Sequence, residues 1–326
     1  VEDSAHRPRG RAGGIRFRRP LGEAVLHAPH TLRALVRADE IWLVALAGAV
    51  GVAGGVAVTL MTLIAQRAQR MVDPIEANAL YGGRMPFGAS VVLVLQTLLS
   101  NGVGASVGLE AGYTQISSAL GSRLGHIFRV RRNDLRLLVG CGAAAGIAGA
   151  FDAPLTGAFF AFELIIGTYT LATLAPVICA AIVSVGVVNL LGGHLDTLEL
   201  LVPTRIEAVD YIPILALGML CALVGIAIMR GVTVTETLFR RSGVPGWARP
   251  AIGGLAVGLL ALITPQVLSA GHSALGIGMH APYSLLTILM LIVLKATASA
   301  ISLGSGFRGG LFYASLFLGA LVGKLF

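Results

Sequence analysis

This chain has little charge. Only 12% of its 326 residues are Asp, Glu, Lys or Arg, against roughly 25% in a soluble globular domain. Aromatic residues make up 6%. The three cysteines, Cys141, Cys179 and Cys221, all lie within apolar stretches. An odd count without C-x-x-C spacing implies neither a disulfide framework nor a zinc site. The seven histidines are scattered, and no two of them stand at the i, i+4 spacing of a helical two-histidine metal site. The expectation is a protein with no catalytic constellation, no metal and no cofactor.

Hydrophobic residues are abundant instead, at 56% with 43 glycines, and the mean hydropathy is +0.84. Residues 41–65 run for 25 positions without a charge. That is enough to cross a hydrocarbon core of about 30 Å at 1.5 Å per helical residue. Further apolar segments fall near 86–101, 111–122, 135–149, 154–168, 170–193, 211–229, 248–264, 282–303 and 309–326. Several are too short for a perpendicular span, which predicts half-helices and re-entrant elements. The fold class is an all-α polytopic membrane protein whose first partner is the lipid bilayer.

The net charge of +8 is concentrated in two places. Eight arginines lie in residues 1–40 and five in 123–136. Basic residues flanking apolar spans mark cytoplasmic loops, so both segments, and with them the N-terminus, are expected on the cytoplasmic side. No aromatic residues interleave with these arginines as a single-strand nucleic-acid binder requires. Nucleic acid is therefore not an expected partner. The organisation predicted is a basic arm over 1–40, a first membrane repeat over 41–195, a linker over 196–210 and a second repeat over 211–326.

Repetition carries the functional signal. Sliding residues 104–125 onto 303–323 by 198 positions aligns Gly112 with Gly310, Ser117 with Ser315, Gly121 with Gly319 and Gly125 with Gly323. Gly-broken apolar segments at matching places in two halves point to a transporter's binding site. Glu110 is the sharpest residue there, because no other acid lies between Glu76 and Asp134. An acid at membrane depth costs a few kcal/mol unless it faces protein or a water-filled cavity.

The expected device is a gate. Gly108, Ala111 and Gly112 let backbone approach closely, and a helix starting near Ala111 turns its free N–H groups and positive dipole end toward an anion. A carboxylate at that place competes with the anion, and protonation would release it. Gly309 and Gly310 offer the same device in the second half, preceding the N–H groups of Leu311, Phe312 and Tyr313. The bland alternative for Glu110 is an N-terminal capping acid on a surface loop, and for the second cluster it is helix packing by small residues. Asp152, before Ala153-Pro154, is expected to be a helix N-cap. Glu163 and Lys295 interrupt apolar helices, and as buried opposite charges they are expected to pair or to line one aqueous cavity, with separate interface roles as the alternative. Gly104-Ala105-Ser106-Val107-Gly108 matches the serine-hydrolase elbow G-x-S-x-G, with His272 and His280 downstream. That elbow needs a strand-to-helix turn in a soluble sheet, so the match is taken as chance in a Gly-rich chain.

From about residue 41 to 326 the chain resembles the CLC family of chloride channels and proton-coupled chloride antiporters. The resemblance rests on Lys295 through Gly323, K-x(8)-GSG-x-x-GG-x-F-x-x-SLF-x-GA-x-x-G, on GAAAGIAGAFDAPLTGAFFAFEL, and on GLEAGYTQ, which places Glu110 at the family's gating glutamate and Gln115 on its Gln. It implies an inverted-repeat architecture, a bacterial inner-membrane location, a homodimer and chloride or another halide as ligand. The anion would be held by backbone N–H groups of Leu311 and Phe312 and by those near Glu110. The family's GSGIP loop falls on Arg70 to Pro74, leaving Met71 where a serine meets the anion, as in the fluoride-transporting branch. Leu164 stands where the antiporters carry an inner proton-transfer Glu. A second long span has no room between Ala65 and Pro74, and the family's last helices lie beyond Phe326, so the chain reads as cut short. The function expected is passage of chloride gated by Glu110, in a channel-like manner. A fluoride-selective transporter and a truncated, non-conducting subunit are the alternatives.

Overall fold

The structure is a computed structural model that describes residues 72–191, 211–271, 274–275 and 283–325. The basic arm 1–40, the span 41–65, Met71, the linker 196–210, His272 and His280 lie outside the described residues. Among the described residues the ordered elements are helices, as expected. They are α1 (Pro74–Leu80), α2 (Phe87–Gly102), α3 (Glu110–Ile127), α4 (Arg132–Phe151), α5 (Pro154–Phe160), α6 (Leu171–Leu190), α7 (Tyr211–Arg241), α8 (Arg249–Ile263), α9 (Leu285–Ser305) and α10 (Phe312–Leu325). A π turn, Ala161–Ile166, continues α5, and a 3-10 turn, Pro265–Val267, comes after α8.

Four of these helices, α4, α6, α7 and α9, are long and apolar enough to cross a membrane. Four apolar elements are shorter, namely α2, α5 with its π turn, α8 and α10. Short helices ending inside the bilayer leave backbone groups unpaired, which is tolerated only where protein or water covers them. Helix α7 runs to Arg241, past the apolar stretch that ends at Met229, because Arg230 and the exposed Glu236–Arg240 pair (3.5 Å) continue the helical register. Ile228 is its one buried residue, so most of its surface is available to lipid.

The first repeat packs through small residues. Ala119 on α3 and Val139, Ala143, Ala144 and Ala148 on α4 share one core with Ala158, Phe162, Val177 and Ala181. Glycine lets α3 and α4 touch along their backbones. A Cβ on Gly142 would stand 2.6 Å from the Ser117 carbonyl carbon and 2.7 Å from the Ser118 Cα. No side chain can give way there. Gly142→Val is therefore expected to destabilise the fold by about 1–3 kcal/mol or more, as overpacking does, and thermal unfolding in detergent measures it. Gly186, which has open space at its Cβ position, is the control.

One expectation about a cap is corrected. Asp152 is the C-cap of α4 in the left-handed conformation, φ 51°, while Ala153 precedes α5 without a side-chain cap. A short polar side chain tolerates that backbone, and Pro154 stops the helix just beyond. The Asp-Pro pair that does cap a helix is Asp73-Pro74, where the Asp73 carboxylate accepts from the Glu76 N–H at 2.6 Å.

Candidate functional site

The two halves meet in a short antiparallel exchange. The Gly108 N–H donates to the Gly310 carbonyl at 2.7 Å, and the Gly310 N–H donates back to Gly108 at 3.0 Å. A second reciprocal pair flanks it: the Ser106 N–H donates to Ser302 Oγ at 2.9 Å and the Arg308 N–H to Ser100 Oγ at 3.2 Å. Each of these equivalences is 202 residues, as is the separation of the helix starts at Glu110 and Phe312. Gly104 and Gly306, again 202 apart, both have positive φ, 91° and 103°. This is a local two-fold, and it corrects the 198-residue register. Gly310 is the counterpart of Gly108, and Gly112 is not.

The two-fold brings two helix N-termini together. The first intrahelical bonds are Tyr113 N–H to Leu109 O and Ser315 N–H to Leu311 O. The N–H groups before them have no partner within their own helix. In α3 these belong to Glu110, Ala111 and Gly112, and in α10 to Leu311, Phe312 and Ala314, with Tyr313 between. Gly108 and Gly310, expected as anion contacts, commit their N–H groups to each other. Their role is close approach. A Cβ on Gly309 would crowd Val107 and stand 2.8 Å from the Gly108 carbonyl oxygen, and one on Gly108 would collide with the Glu110 carboxylate. Gly112 faces Thr97 of α2.

Glu110 crosses this gap. It is 6% exposed, and its Oε1 accepts from the Tyr313 N–H at 2.7 Å, so the carboxylate occupies the end of the opposite helix. Its Oε2 is buried and accepts no hydrogen bond. A single side-chain anchor leaves the group displaceable. Glu110, Ala111, Gly309, Gly310, Leu311 and Phe312 face a common cavity of about 500 Å³. Arg308 and Asp73 border it too, but the Asp73 carboxylate is already bonded at the start of α1.

Supporting contacts fix the frame. Gln115 Nε2 donates to the Val72 carbonyl (2.9 Å) and to Ser90 Oγ (3.0 Å), tying α3 to α2 and to the loop before α1. Asn101 Nδ2 donates to Val107 O at 2.8 Å, holding the turn that delivers Gly108. The Phe151 ring packs on Phe312 with centroids 4.6 Å apart, bracing α10 from the end of α4. Of these, Asn101 and Phe151 were not foreseen. An Asn one residue before a helix-ending Gly is the one trace that the first leaves in the sequence.

A family model described as voltage gated chloride channel matches residues 53–326. The chain belongs to the CLC family. It is 34% identical over 258 residues to a ClcB-like protein from Ralstonia nicotianae, covering 78% of this chain and 60% of that one. It is also 34% identical over 263 residues to the voltage-gated ClC-type chloride channel ClcB of Escherichia coli, covering 80% and 62% respectively. The chain thus spans about 60% of the length of the curated relatives it matches. Among solved structures, a slow cyanobacterial Cl−/H+ antiporter superposes with a TM-score of 0.72 at 21% identity, covering 91% of this chain and 74% of that one. A CLC-type fluoride/proton antiporter gives 0.65 at 23%, covering 87% and 78%. These likenesses establish a CLC fold.

The remaining candidates do not join the site. Lys295 is 1% exposed and donates to three backbone carbonyls, whereas Glu163 is exposed on the π turn beside Leu164. The expected buried pair is not formed, because Lys295 finds its acceptors on the backbone. Ser106 is fully buried against Ser299 Oγ at 3.0 Å after the end of a helix, so it makes no nucleophile elbow. Among the described residues no group of His, Cys, Asp and Glu gathers to hold a metal.

Proposed function

We propose that this CLC protein passes chloride across the bacterial inner membrane through the cavity between the α3 and α10 N-termini, with Glu110 as the gate. One observation carries the reading: the Glu110 carboxylate is bonded to the Tyr313 N–H in the place an anion would take. Helix N-termini bind anions through free N–H groups and the dipole. Donors without a full positive charge allow release as well as capture. A carboxylate on those donors excludes a halide, and protonation weakens its hold. The chain acts by carrying an ion and not as an enzyme, in a homodimer with its N-terminus cytoplasmic. Halide efflux from liposomes loaded in turn with chloride, fluoride and sulfate tests this. Chloride is expected to leave fastest, and a sulfate rate equal to chloride would defeat the reading.

Transport is expected to be channel-like. Leu164, 48% exposed on the π turn, has no titratable group, and Glu163 beside it projects in another direction. An outward halide gradient should therefore drive no proton uptake at fixed stoichiometry. A pH electrode outside the same liposomes reads this directly, and a constant proton-to-halide ratio would show coupling.

A further inference from the structure

The two repeats differ at one informative position. Lys295 on α9 has its two-fold counterpart 202 residues earlier, at Leu93 on α2, and Leu93 borders the anion cavity. A buried cation in one copy and an apolar residue in the other is not what the shared fold demands. Isolated charges at membrane depth are costly, so the lysine has work that its counterpart lacks.

Its contacts indicate the work. Lys295 Nζ donates to the carbonyls of Val267 (3.2 Å), Leu268 (3.4 Å) and Ser269 (2.7 Å). Three carbonyl dipoles converging on one ammonium bend the chain sharply, and Ser269 takes a positive φ of 52°, a costly backbone for a residue with a side chain. In that conformation Ser269 turns both of its donors onto the first repeat. Its N–H reaches the Gly104 carbonyl at 3.2 Å and its Oγ the Asn101 carbonyl at 2.9 Å. Gly104 begins the segment that ends in the Gly108–Gly310 exchange, and Asn101 holds that segment again through Val107.

We infer that Lys295 is a positioning residue. Through Ser269 it fixes the segment 104–110 and so aligns Glu110 with the N-terminus of α10. The inference rests on the proposed anion pathway for its consequence, but the alignment itself can be measured without transport. The path runs from Lys295 to Ser269, then to Asn101 and Gly104, then to Gly108 and Glu110. It crosses from the second repeat to the first.

The test uses Lys295→Met, which keeps the stem's bulk, and Ser269→Ala, which keeps the lysine and deletes one relay bond. Hydrogen exchange on purified protein in detergent tracks peptides covering 104–110 and, as reference, 171–190. Lys295→Met is expected to speed exchange in 104–110 by about tenfold, and Ser269→Ala by about threefold, with the reference unchanged, as for a local opening. In liposomes both variants should also shift the chloride-to-fluoride flux ratio in the same direction, a ratio that does not depend on the amount of folded protein. Should Lys295→Met fail to fold, Ser269→Ala decides alone. Exchange in 104–110 equal to the parent's, or acceleration spread evenly over both regions, overturns the inference. A parent chain without halide flux would instead defeat the proposed function, and the exchange result would still decide the positioning role.

Discussion

Glu110→Gln is expected to make halide flux independent of pH and to hold it near the acid maximum of the parent. The parent's flux should fall as pH rises, by at most about tenfold per pH unit, since one proton on one group opens the path. The sign comes from the contact. Deprotonated, the carboxylate is the better acceptor for the Tyr313 N–H at 2.7 Å and carries the charge that the α10 N-terminus attracts. Protonated, it loses both advantages, and a halide competes for the same donors. Glutamine imitates the protonated shape and carries no charge at any pH. Its amide also fits the seat, so folding should be little changed, and thermal unfolding checks this. Efflux from liposomes across acidic to neutral pH gives the profile. A folded, conducting Gln variant with the parent's pH dependence would remove Glu110 from the gating role.

Glu110 was legible because it stands alone. A single acid in a long apolar region flanked by small residues has few structural uses, and its neighbours Gly108 and Gly112 marked a backbone that something must approach. Most helix limits were legible for similar reasons, since charge, Gly and Pro punctuate the apolar runs. The register of the repeat was not. A slide of 198 aligns the small packing residues of α3 and α10, Gly121 with Gly319 and Gly125 with Gly323. A slide of 202 aligns Ser100 with Ser302, Gly104 with Gly306 and Gly108 with Gly310. Small residues recur along any tightly packed helix, so their matches are cheap. The hydroxyl and backbone geometry at the two-fold is what fixes the register.

Lys295 and Glu163 show a second limit. Opposite charges in apolar helices invite pairing, but a lysine can also be satisfied by backbone carbonyls, which leave no mark in a sequence. The carbonyls of Val267, Leu268 and Ser269 converge only because the chain turns after α8. Glu163 falls on a π turn, whose extra residue rotates the side chains around it, so a regular 3.6-residue pattern misplaces it. Asp152 failed for a related reason. Asp before Pro serves a helix start or a left-handed helix end, and local sequence does not distinguish the two.

Gly310→Val is expected to weaken halide binding by about 30-fold or more, roughly 2 kcal/mol, with a smaller effect on folding. Gly310 does not have positive φ, so valine meets no backbone strain of that kind. The obstacle is space. A Cβ at this position would collide with Glu110 Oε2 and stand 3.2 Å from the Glu110 Cβ. The carboxylate can swing away, but the Cβ cannot, and a β-branched side chain adds two methyl groups where an ion must reach the N–H groups of Leu311 and Phe312. Gly319→Ala on the same helix is the control, because its Cβ position is open. Calorimetric titration of purified protein with chloride measures the loss, and binding equal to the parent's would move the site away from this loop. Adding Glu110→Ala separates two causes. If valine acts only by displacing the carboxylate into the anion's path, the double variant regains binding. If it crowds the donors, the double variant stays weak, and the geometry around Gly310 favours that outcome.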